Sequence, residues 1–162
     1  MLYIFDKDGT LVAGVGNRPA NSPVEQEPLP GVVEKLARLR DAGHALTIAT
    51  NQGGVAWGFI SLSQAYRLAW DAAEKVGGMD AVSVCPYDAR ARGENARPQY
   101  ARPSRRRKPS PGMIIDLARR LGYDLEGVAF VGDRESDRQA AEAAGVEFYW
   151  ANDFFGGCYE SS

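Results

Sequence analysis

FDKDGTLV, residues 5–12, places two aspartates one residue apart directly after an apolar run and directly before a glycine. The run LYIF (2–5) is rich in branched and aromatic residues, which is typical of a buried strand. Asp6 and Asp8 therefore stand where a buried strand is expected to end. Polar residues at the carboxyl end of a buried strand favour an α/β fold whose functional site lies at the edge of the sheet.

The length of 162 residues is about that of one domain, so we expect a single domain over 1–162. A hydrophobic content of 44% and a net charge of −2 are typical of a globular protein rather than a disordered or membrane chain. No apolar run approaches the roughly 18 residues that span a bilayer. The N-terminus lacks the basic region and the long apolar stretch of a signal peptide. We therefore expect a cytoplasmic monomer with no membrane partner.

Apolar runs alternate along the chain with segments of helical spacing. The apolar runs predict five strands, at 2–5, 45–49, 81–84, 127–131 and 146–150. The helical spacing predicts four helices, at 31–43, 61–77, 110–122 and 135–145. Ser61 and Ser110 are expected to cap two of them at the N-terminus. This alternation indicates a Rossmann-like parallel sheet with helices on both faces.

In an open parallel sheet, ligands bind beyond the carboxyl ends of the strands. Residues with oxygen, amide or amine groups are predicted at or near those ends: Asp6, Asp8, Thr50, Asn51, Gln52, Lys108, Asp133 and Asp137. Crowded carboxylates repel one another, and Mg²⁺ prefers such hard oxygen ligands. Mg²⁺, a lysine and a hydroxyl suit a phosphoryl group, which a carboxylate can attack to form an aspartyl-phosphate. Each motif alone also fits a turn, a helix cap or a solvated charge, but their order along the chain favours one shared site.

Four segments, FDKDGTLV, IATNQGG, RRKPSPGM and VGDRESD, resemble the four motifs of the phosphatase branch of the haloacid dehalogenase (HAD) superfamily. The T-N-Q and K-P-x-P-G-M elements resemble its subfamily IIIA, which contains histidinol-phosphate phosphatase, heptose bisphosphate phosphatase and the polynucleotide 3′-phosphatases. The resemblance implies a HAD-like fold and Mg²⁺-dependent phosphomonoesterase activity. Residues 14–31 have a loop-forming composition and lie where relatives can insert a cap domain. We expect no folded cap, because the segment is too short for one.

The resemblance also implies roles for the acidic residues. Asp6 would be the nucleophile, and Asp8 would be the general acid and base. Asp6, Asp133 and the backbone carbonyl of Asp8 would hold Mg²⁺. Asp137 would support either the metal or Lys108.

The remaining motif residues are implied to contact the substrate. Thr50 and Lys108 would hold the transferring phosphoryl group. Asn51, Gln52 and Arg107 would bind the rest of the substrate, Arg107 because it directly precedes the lysine of its motif.

Many relatives of this kind carry a zinc loop with four ligands between the third strand and the lysine motif. The corresponding positions here are Cys85, Tyr87, Ser104 and Arg106, so one of the four ligands is kept. A lone thiolate cannot make a tetrahedral zinc site, and we therefore expect no zinc.

In place of the zinc loop, the chain has a basic loop at about 85–108, in which positively charged residues are concentrated. Its part from Asp88 to Lys108, here called the basic segment, has eight basic and two acidic residues, whereas the rest of the chain has 11 basic and 19 acidic residues. Arginine side chains match phosphate oxygens, so this loop is expected to attract a polyanionic substrate. The alternative is a solvated loop with no specific partner.

The sequence therefore predicts a Mg²⁺-dependent phosphomonoesterase for a small polyanionic phosphate ester, such as a sugar bisphosphate or histidinol phosphate. A polynucleotide end phosphatase, with a nucleic acid end as partner, has the same chemistry and stays open. A non-catalytic phosphate-binding module is the alternative of another class. The residues leave open whether water or another acceptor takes the phosphoryl group.

Overall fold

A five-stranded parallel sheet lies at the centre of the structure, a computed structural model that describes residues 1–14 and 21–156. The strands are β1 (Leu2–Phe5), β2 (Ala45–Asn51), β3 (Ala81–Cys85), β4 (Val128–Gly132) and β5 (Glu147–Trp150). Their spatial order is β3-β2-β1-β4-β5, and every neighbouring pair is parallel. The order places β1, and the aspartates that follow it, at the middle of the sheet.

Helices cover both faces of this sheet. They are α1 (Val32–Asp41), α2 (Gly54–Trp57), α3 (Leu62–Lys75), α4 (Gly112–Leu121), α5 (Glu135–Ala144) and α6 (Ala151–Phe154). Short 3₁₀ turns form at Pro23–Glu25 and Leu125–Gly127. None of the helices among residues 1–14 and 21–156 combines the length and apolarity that crossing a membrane requires.

Alternating side chains of the strands supply two apolar layers. Phe5 packs in a layer with residues of α1 and α3, whereas Leu2 and Ile4 pack in the opposite layer with residues of α4 and α5. All three side chains are fully buried. Burial on both sides explains why the strands appear in the sequence as nearly continuous apolar runs.

The predicted α/β fold and all five strands are confirmed, with strand ends that differ by one or two residues. One of these differences, and one at the start of a helix, affect residues singled out above. Thr50 and Asn51 do not follow the second strand but end it, because Thr50 pairs with Val84 and Asn51 with Cys85 in the ladder to β3. The prediction that Ser110 caps a helix is wrong, since α4 begins at Gly112 with Pro111 at the N-cap. A residue that precedes proline is disfavoured in helical conformation, which keeps Ser110 outside the helix.

The other predicted cap is confirmed. Ser61 accepts a hydrogen bond from the backbone N–H of Gln64 at 3.0 Å, and Gln64 Oε1 accepts one from the backbone N–H of Ser61 at 2.7 Å. This reciprocal pair fixes the start of α3. Helices α2 and α6 were not predicted, because four residues are too few to show a helical period.

Candidate active site

The carboxyl ends of β1, β2 and β4 meet at one edge of the sheet, where a cleft of about 650 Å³ opens. Most of the site residues predicted from the sequence line this cleft: Asp6, Asp8, Asn51, Gln52, Arg107, Lys108 and Asp137. Thr50 and Asp133 lie beside the cleft. Thr50 Oγ1 accepts a hydrogen bond from Gln52 Nε2, and Asp133 offers a carboxylate oxygen within 4.8 Å of oxygens of Asp6 and Asp137. The structure therefore brings all nine predicted residues together, although they come from distant parts of the chain.

Lys108 connects the residue that follows β1 with β2 and with α5. Its Nζ lies 2.8 Å from Asp6 Oδ1 and 2.7 Å from Asp137 Oδ1, and it donates to the backbone carbonyl of Ala49 at 3.0 Å. Burial alone would lower the pKa of Lys108, but the charges of Asp6 and Asp137 outweigh burial and raise it. The lysine therefore carries a fixed positive charge between two acids of the site.

Asn51 holds the backbone of the lysine in place. Its Nδ2 donates to the carbonyl of Lys108 at 3.0 Å, and its Oδ1 accepts from the Lys108 N–H at 3.0 Å. The peptide bond from Lys108 to Pro109 is cis. Because both polar atoms of its side-chain amide bond to the Lys108 backbone, Asn51 connects β2 to the basic segment.

Asp6, Asp133 and Asp137 form a candidate metal centre. Each offers a carboxylate oxygen within 4.8 Å of the others, and this is the only such group of potential ligands among residues 1–14 and 21–156. Burial and the charge of Asp133 raise the pKa of Asp6 to about 6, against the opposing effect of Lys108. Lys108 offsets only part of the negative charge of these three carboxylates, and a divalent cation such as Mg²⁺, which prefers hard oxygen ligands, relieves the remainder.

Within this group Asp137 is already engaged by protein atoms. Its Oδ1 contacts Lys108, while its Oδ2 accepts the backbone N–H groups of Asp133 at 3.2 Å and Arg134 at 3.1 Å. These contacts indicate that Asp137 supports Lys108 and the turn that carries Asp133, rather than binding the metal. Asp6 and Asp133 are then the carboxylates best placed to bind a cation directly.

Gly9 and Thr10 fit the first motif against Asp133. Gly9 has a φ of +82°, and a Cβ there would lie 2.2 Å from Asp133 Oδ2, so a side chain is excluded twice. Thr10 Oγ1 donates to Asp133 Oδ1 at 3.2 Å. Thr10 was not singled out from the sequence. The turn at Gly9 places it beside Asp133, which belongs to the motif VGDRESD.

Asp8 faces a different set of partners. Its Oδ1 lies 2.8 Å from Lys7 Nζ, and its Oδ2 accepts from Gln52 Nε2 at 3.1 Å. Lys7 is fully buried and also donates to Gln26 Oε1 at 2.6 Å. Lys7 and Gln52 therefore fix the orientation of the Asp8 carboxylate, and a group that transfers a proton needs such positioning.

Sequence reasoning missed Lys7 and Gln26. Gln26 is fully buried, and its Nε2 donates to the carbonyl of Leu68 at 2.9 Å and to Asp71 Oδ2 at 2.8 Å, both on α3. A lysine between two aspartates at the end of an apolar strand was a signal for Lys7. No local pattern distinguishes Gln26, whose role arises from the packing of α3.

Thr50 and Gln52 are coupled. Gln52 Nε2 donates to Thr50 Oγ1 at 2.8 Å as well as to Asp8. A hydroxyl that accepts a hydrogen bond can still donate its own hydrogen, so Thr50 can serve a phosphoryl oxygen. The contacts of Gln52 favour orientation of Thr50 and Asp8, and direct contact with substrate stays a prediction.

The basic segment is anchored to the body of the protein by some of its arginines. Arg97 NH1 donates to the carbonyls of Val55 at 2.7 Å and Ile60 at 2.6 Å. Arg106 NH2 donates to Ser83 Oγ at 3.1 Å and to the Val84 carbonyl at 2.9 Å. These arginines support the loop, so the part of the segment that can serve an anionic substrate is smaller than its total charge suggests.

The expected absence of zinc stays a prediction. Cys85 is buried at the end of β3, and burial raises the pKa of its thiol, which disfavours the thiolate that zinc needs. Tyr87 and Tyr100 pack against each other with ring centroids 5.7 Å apart, and the guanidinium of Arg102 lies 4.9 Å from the Tyr87 ring. Side-chain packing therefore contributes to the fold of this loop.

Comparison with known proteins gives the family. Residues 16–145 match a family model described as haloacid dehalogenase-like hydrolase. The D-glycero-beta-D-manno-heptose-1,7-bisphosphate 7-phosphatase of Photorhabdus laumondii is 31% identical over 146 residues, which cover 88% of this chain and 74% of that protein. The protein of the same name from Bordetella bronchiseptica is 37% identical over 148 residues, covering 89% and 76%.

A solved structure shares the fold. The crystal structure of D,D-heptose 1,7-bisphosphate phosphatase from B. bronchiseptica, complexed with magnesium and phosphate, has a TM-score of 0.74 and 34% identity, covering 92% of this chain and 79% of that one. The resemblance carried by the four motifs and the prediction of an enzyme are thereby confirmed. The chain belongs to the haloacid dehalogenase-like hydrolase family.

Proposed function

We propose that this chain is a Mg²⁺-dependent phosphomonoesterase that cleaves a sugar bisphosphate through an aspartyl-phosphate on Asp6. The observation that carries the proposal is the buried contact of Asp6 with Lys108, beside Asp133 and within the same cleft as Asp8. Asp6 is paired with a fixed cation, Asp8 accepts from Lys7 and Gln52, and Asp133 is an exposed carboxylate within 4.8 Å of Asp6. This division of roles suits phosphoryl transfer.

The sugar bisphosphate is proposed from the relatives. The two curated proteins and the solved structure described above are heptose bisphosphate phosphatases. Their names favour this substrate class over histidinol phosphate and over a polynucleotide end. They also disfavour a non-catalytic module, which would have no use for both Asp6 and Asp8.

Mg²⁺ fits the donor set of the site. Asp6 and Asp133 would hold it with hard carboxylate oxygens, and the first motif would add the Asp8 carbonyl. When bound, Mg²⁺ supplies neutralisation of the negative charge on the transferring phosphoryl group. The solved relative that contains magnesium and phosphate supports this choice of metal.

In the first step a carboxylate oxygen of Asp6 attacks phosphorus, and the ester bond between phosphorus and the sugar oxygen breaks. Lys108 Nζ donates to Asp6 Oδ1 and so fixes the orientation of this carboxylate. Asp8 gives its proton to the departing sugar oxygen. The products of this step are the free sugar hydroxyl and the aspartyl-phosphate.

In the second step Asp8, now a carboxylate, takes a proton from water while the water oxygen attacks phosphorus. The bond between phosphorus and Asp6 breaks, which releases inorganic phosphate and restores the Asp6 carboxylate. Lys7 and Gln52 keep Asp8 in one orientation through both steps. Thr50 donates to a phosphoryl oxygen, and the positive charge of Lys108 stabilises the phosphoryl group electrostatically while its three N–H donors stay on Asp6, Asp137 and the Ala49 carbonyl.

The proposal is tested by phosphate release from a panel of esters with and without Mg²⁺. The panel contains an aryl phosphate, histidinol phosphate, sugar monophosphates, sugar bisphosphates and oligonucleotides with a terminal phosphate. We expect Mg²⁺-dependent release with the highest kcat/KM for a sugar bisphosphate. A preference for oligonucleotides, or no release from any ester by the folded protein with Mg²⁺, would contradict the proposal.

A further inference from the structure

Asp88, at the start of the basic segment, is the centre of a group of charged side chains apart from the candidate metal centre. Its carboxylate is 4% exposed. Oδ1 accepts the backbone N–H and the Nε–H of Arg90, both at 3.0 Å, and Oδ2 accepts Arg90 NH2 at 3.0 Å. Trp57 Nε1 donates to Oδ2 at 3.2 Å, and Arg107 NH2 lies 3.6 Å from the same oxygen. A nearly buried carboxylate thus holds two guanidinium groups.

The group keeps a positive charge and spare donors. Burial acts to raise the pKa of Asp88, but the hydrogen bonds from Arg90 and the charge of Arg107 lower it to about 2, so the carboxylate is ionised at neutral pH. One negative and two positive charges leave an excess of one positive charge. Contacts with Asp88 use two of the five N–H donors of the Arg90 side chain, and that side chain is 76% exposed.

The arginines and the catalytic aspartates share one cleft. Arg90 and Arg107 line the same cleft as Asp6 and Asp8. A molecule that fills the cleft can therefore present one anionic group to the guanidinium groups and another to the nucleophile. Guanidinium forks match phosphate and carboxylate oxygens, so the ligand chemistry is anionic.

Two further features suit this use of the cleft. Gly53 lies so close to the group that a Cβ would come 3.0 Å from Arg107 NH1 and 3.0 Å from Asp88 Oδ2. Trp57 and Phe59 stack with ring centroids 6.2 Å apart and line the same cleft, and Phe59 is 68% exposed. The rings offer apolar surface to the carbon skeleton that connects two anionic groups.

We propose that Arg90 and Arg107, held by Asp88, bind the distal, non-reacting phosphate of the substrate. Asp88 is a positioning residue that acts through the two arginines. This inference rests on the proposed function, because it takes the substrate to carry two phosphates. Arg107 was already expected to contact substrate, and the new elements are the contribution of Arg90 and the role of Asp88.

The test compares fructose 1,6-bisphosphate with fructose 6-phosphate, which differ by one phosphate. Dissociation constants are measured in an Asp6→Asn background, where turnover does not interfere, and kcat and KM are measured in the otherwise unchanged enzyme. Arg90→Gln, Asp88→Asn and their combination are compared with Arg92→Gln. Arg92 is an exposed residue of the same segment that does not line the cleft, so its variant is matched in charge.

We expect Arg90→Gln to weaken binding of the bisphosphate at least about 10-fold more than binding of the monophosphate, the effect of one charge-assisted contact. In turnover the loss should fall on KM rather than on kcat. Asp88→Asn should act in the same direction, and the double variant should lose less than the product of the two single losses, because Asp88 acts through Arg90. Arg92→Gln should leave the ratio of the two dissociation constants as in the parent.

Equal effects of Arg90→Gln on both sugars, or an equal effect of Arg92→Gln and Arg90→Gln, would overturn the inference. These outcomes are separate from failure of the proposed function, which would appear as no Mg²⁺-dependent hydrolysis of any ester by the unchanged enzyme. A binding preference for the bisphosphate that depends on Arg90 in a protein without hydrolase activity would support the subsite and refute the reaction.

Discussion

Replacement of Lys108 by methionine should damage both stability and activity, because its charge is buried between two acids. Lys108 is 4% exposed, and its Nζ lies within 2.8 Å of an oxygen of Asp6 and of Asp137. Removal of one partner of a buried ion pair costs about 3–5 kcal/mol. Protonation of Asp6, whose pKa is already about 6, would relieve part of this cost, so the lower end applies.

A loss of about 3 kcal/mol should lower the Tm of a chain of this size by about 6–12 °C. The assay is thermal unfolding in a chelating buffer, followed by circular dichroism. Arg105→Met is the matched control, since Arg105 lies in the same segment and pairs with Asp116 at 3.6 Å with its side chain 72% exposed. An exposed ion pair contributes at most about 1 kcal/mol, so the control should shift by less than about 4 °C.

Activity is measured on the same two variants with an aryl phosphate. Loss of a preorganised cation beside the reacting group should lower kcat of Lys108→Met by about 100-fold or more. Arg105→Met should retain the parental kcat. A Lys108→Met protein that unfolds within the range of the control and keeps its kcat would refute the account of Lys108 as the buried cation of the site.

Other changes test separate parts of the site. Asp6→Asn should abolish Mg²⁺-dependent turnover while circular dichroism shows a folded protein, and retained turnover would exclude Asp6 as nucleophile. Lys7→Met should lower kcat more than it raises KM, because Asp8 loses its buried partner, and a pure KM effect would contradict that role. Gly9→Ala should weaken Mg²⁺ binding measured by calorimetry, since its Cβ would meet Asp133, and parental affinity would contradict this. With the pKa of Asp6 raised to about 6, its contribution to the stability of the metal-free protein is lost as pH rises through that value, and Mg²⁺ should raise the Tm more at about pH 7.5 than at about pH 5. Equal shifts at both pH values would contradict the titration of Asp6.

Much of the fold follows from the sequence because burial of the sheet on both faces leaves a strong apolar signal. The run at 2–5 coincides with β1, and the run at 45–49 falls two residues short of the end of β2. The shortfall arises because Thr50 and Asn51 are polar members of the ladder. Hydrophobic periodicity detects core positions, and it cannot detect a strand residue whose side chain serves a site.

The candidate site was predictable to the extent that one rule of parallel sheets applies. Asp6 and Lys108 are 102 positions apart in the sequence. Their proximity can be predicted only from the rule that functional residues of a parallel sheet gather at the carboxyl ends of its strands. Lys7, Gln26 and Asp88 were not foreseen as parts of the site. Each depends on the packing of a loop against another element, and loop packing has no period in the sequence. The single domain over 1–162, the monomeric state, the cytoplasmic location and the roles of the site residues stay predictions.

The most direct test of the central claim uses Asp8→Asn with an aryl phosphate. Its phenolate leaving group departs without a proton, so Asp6 should still attack, whereas water lacks the base that it needs for the second step. The account predicts a burst of about one phenolate per enzyme molecule, with a phosphoryl group that mass spectrometry locates on Asp6 after acid quenching. Steady turnover without a burst, or a phosphoryl group on any other residue, would contradict it.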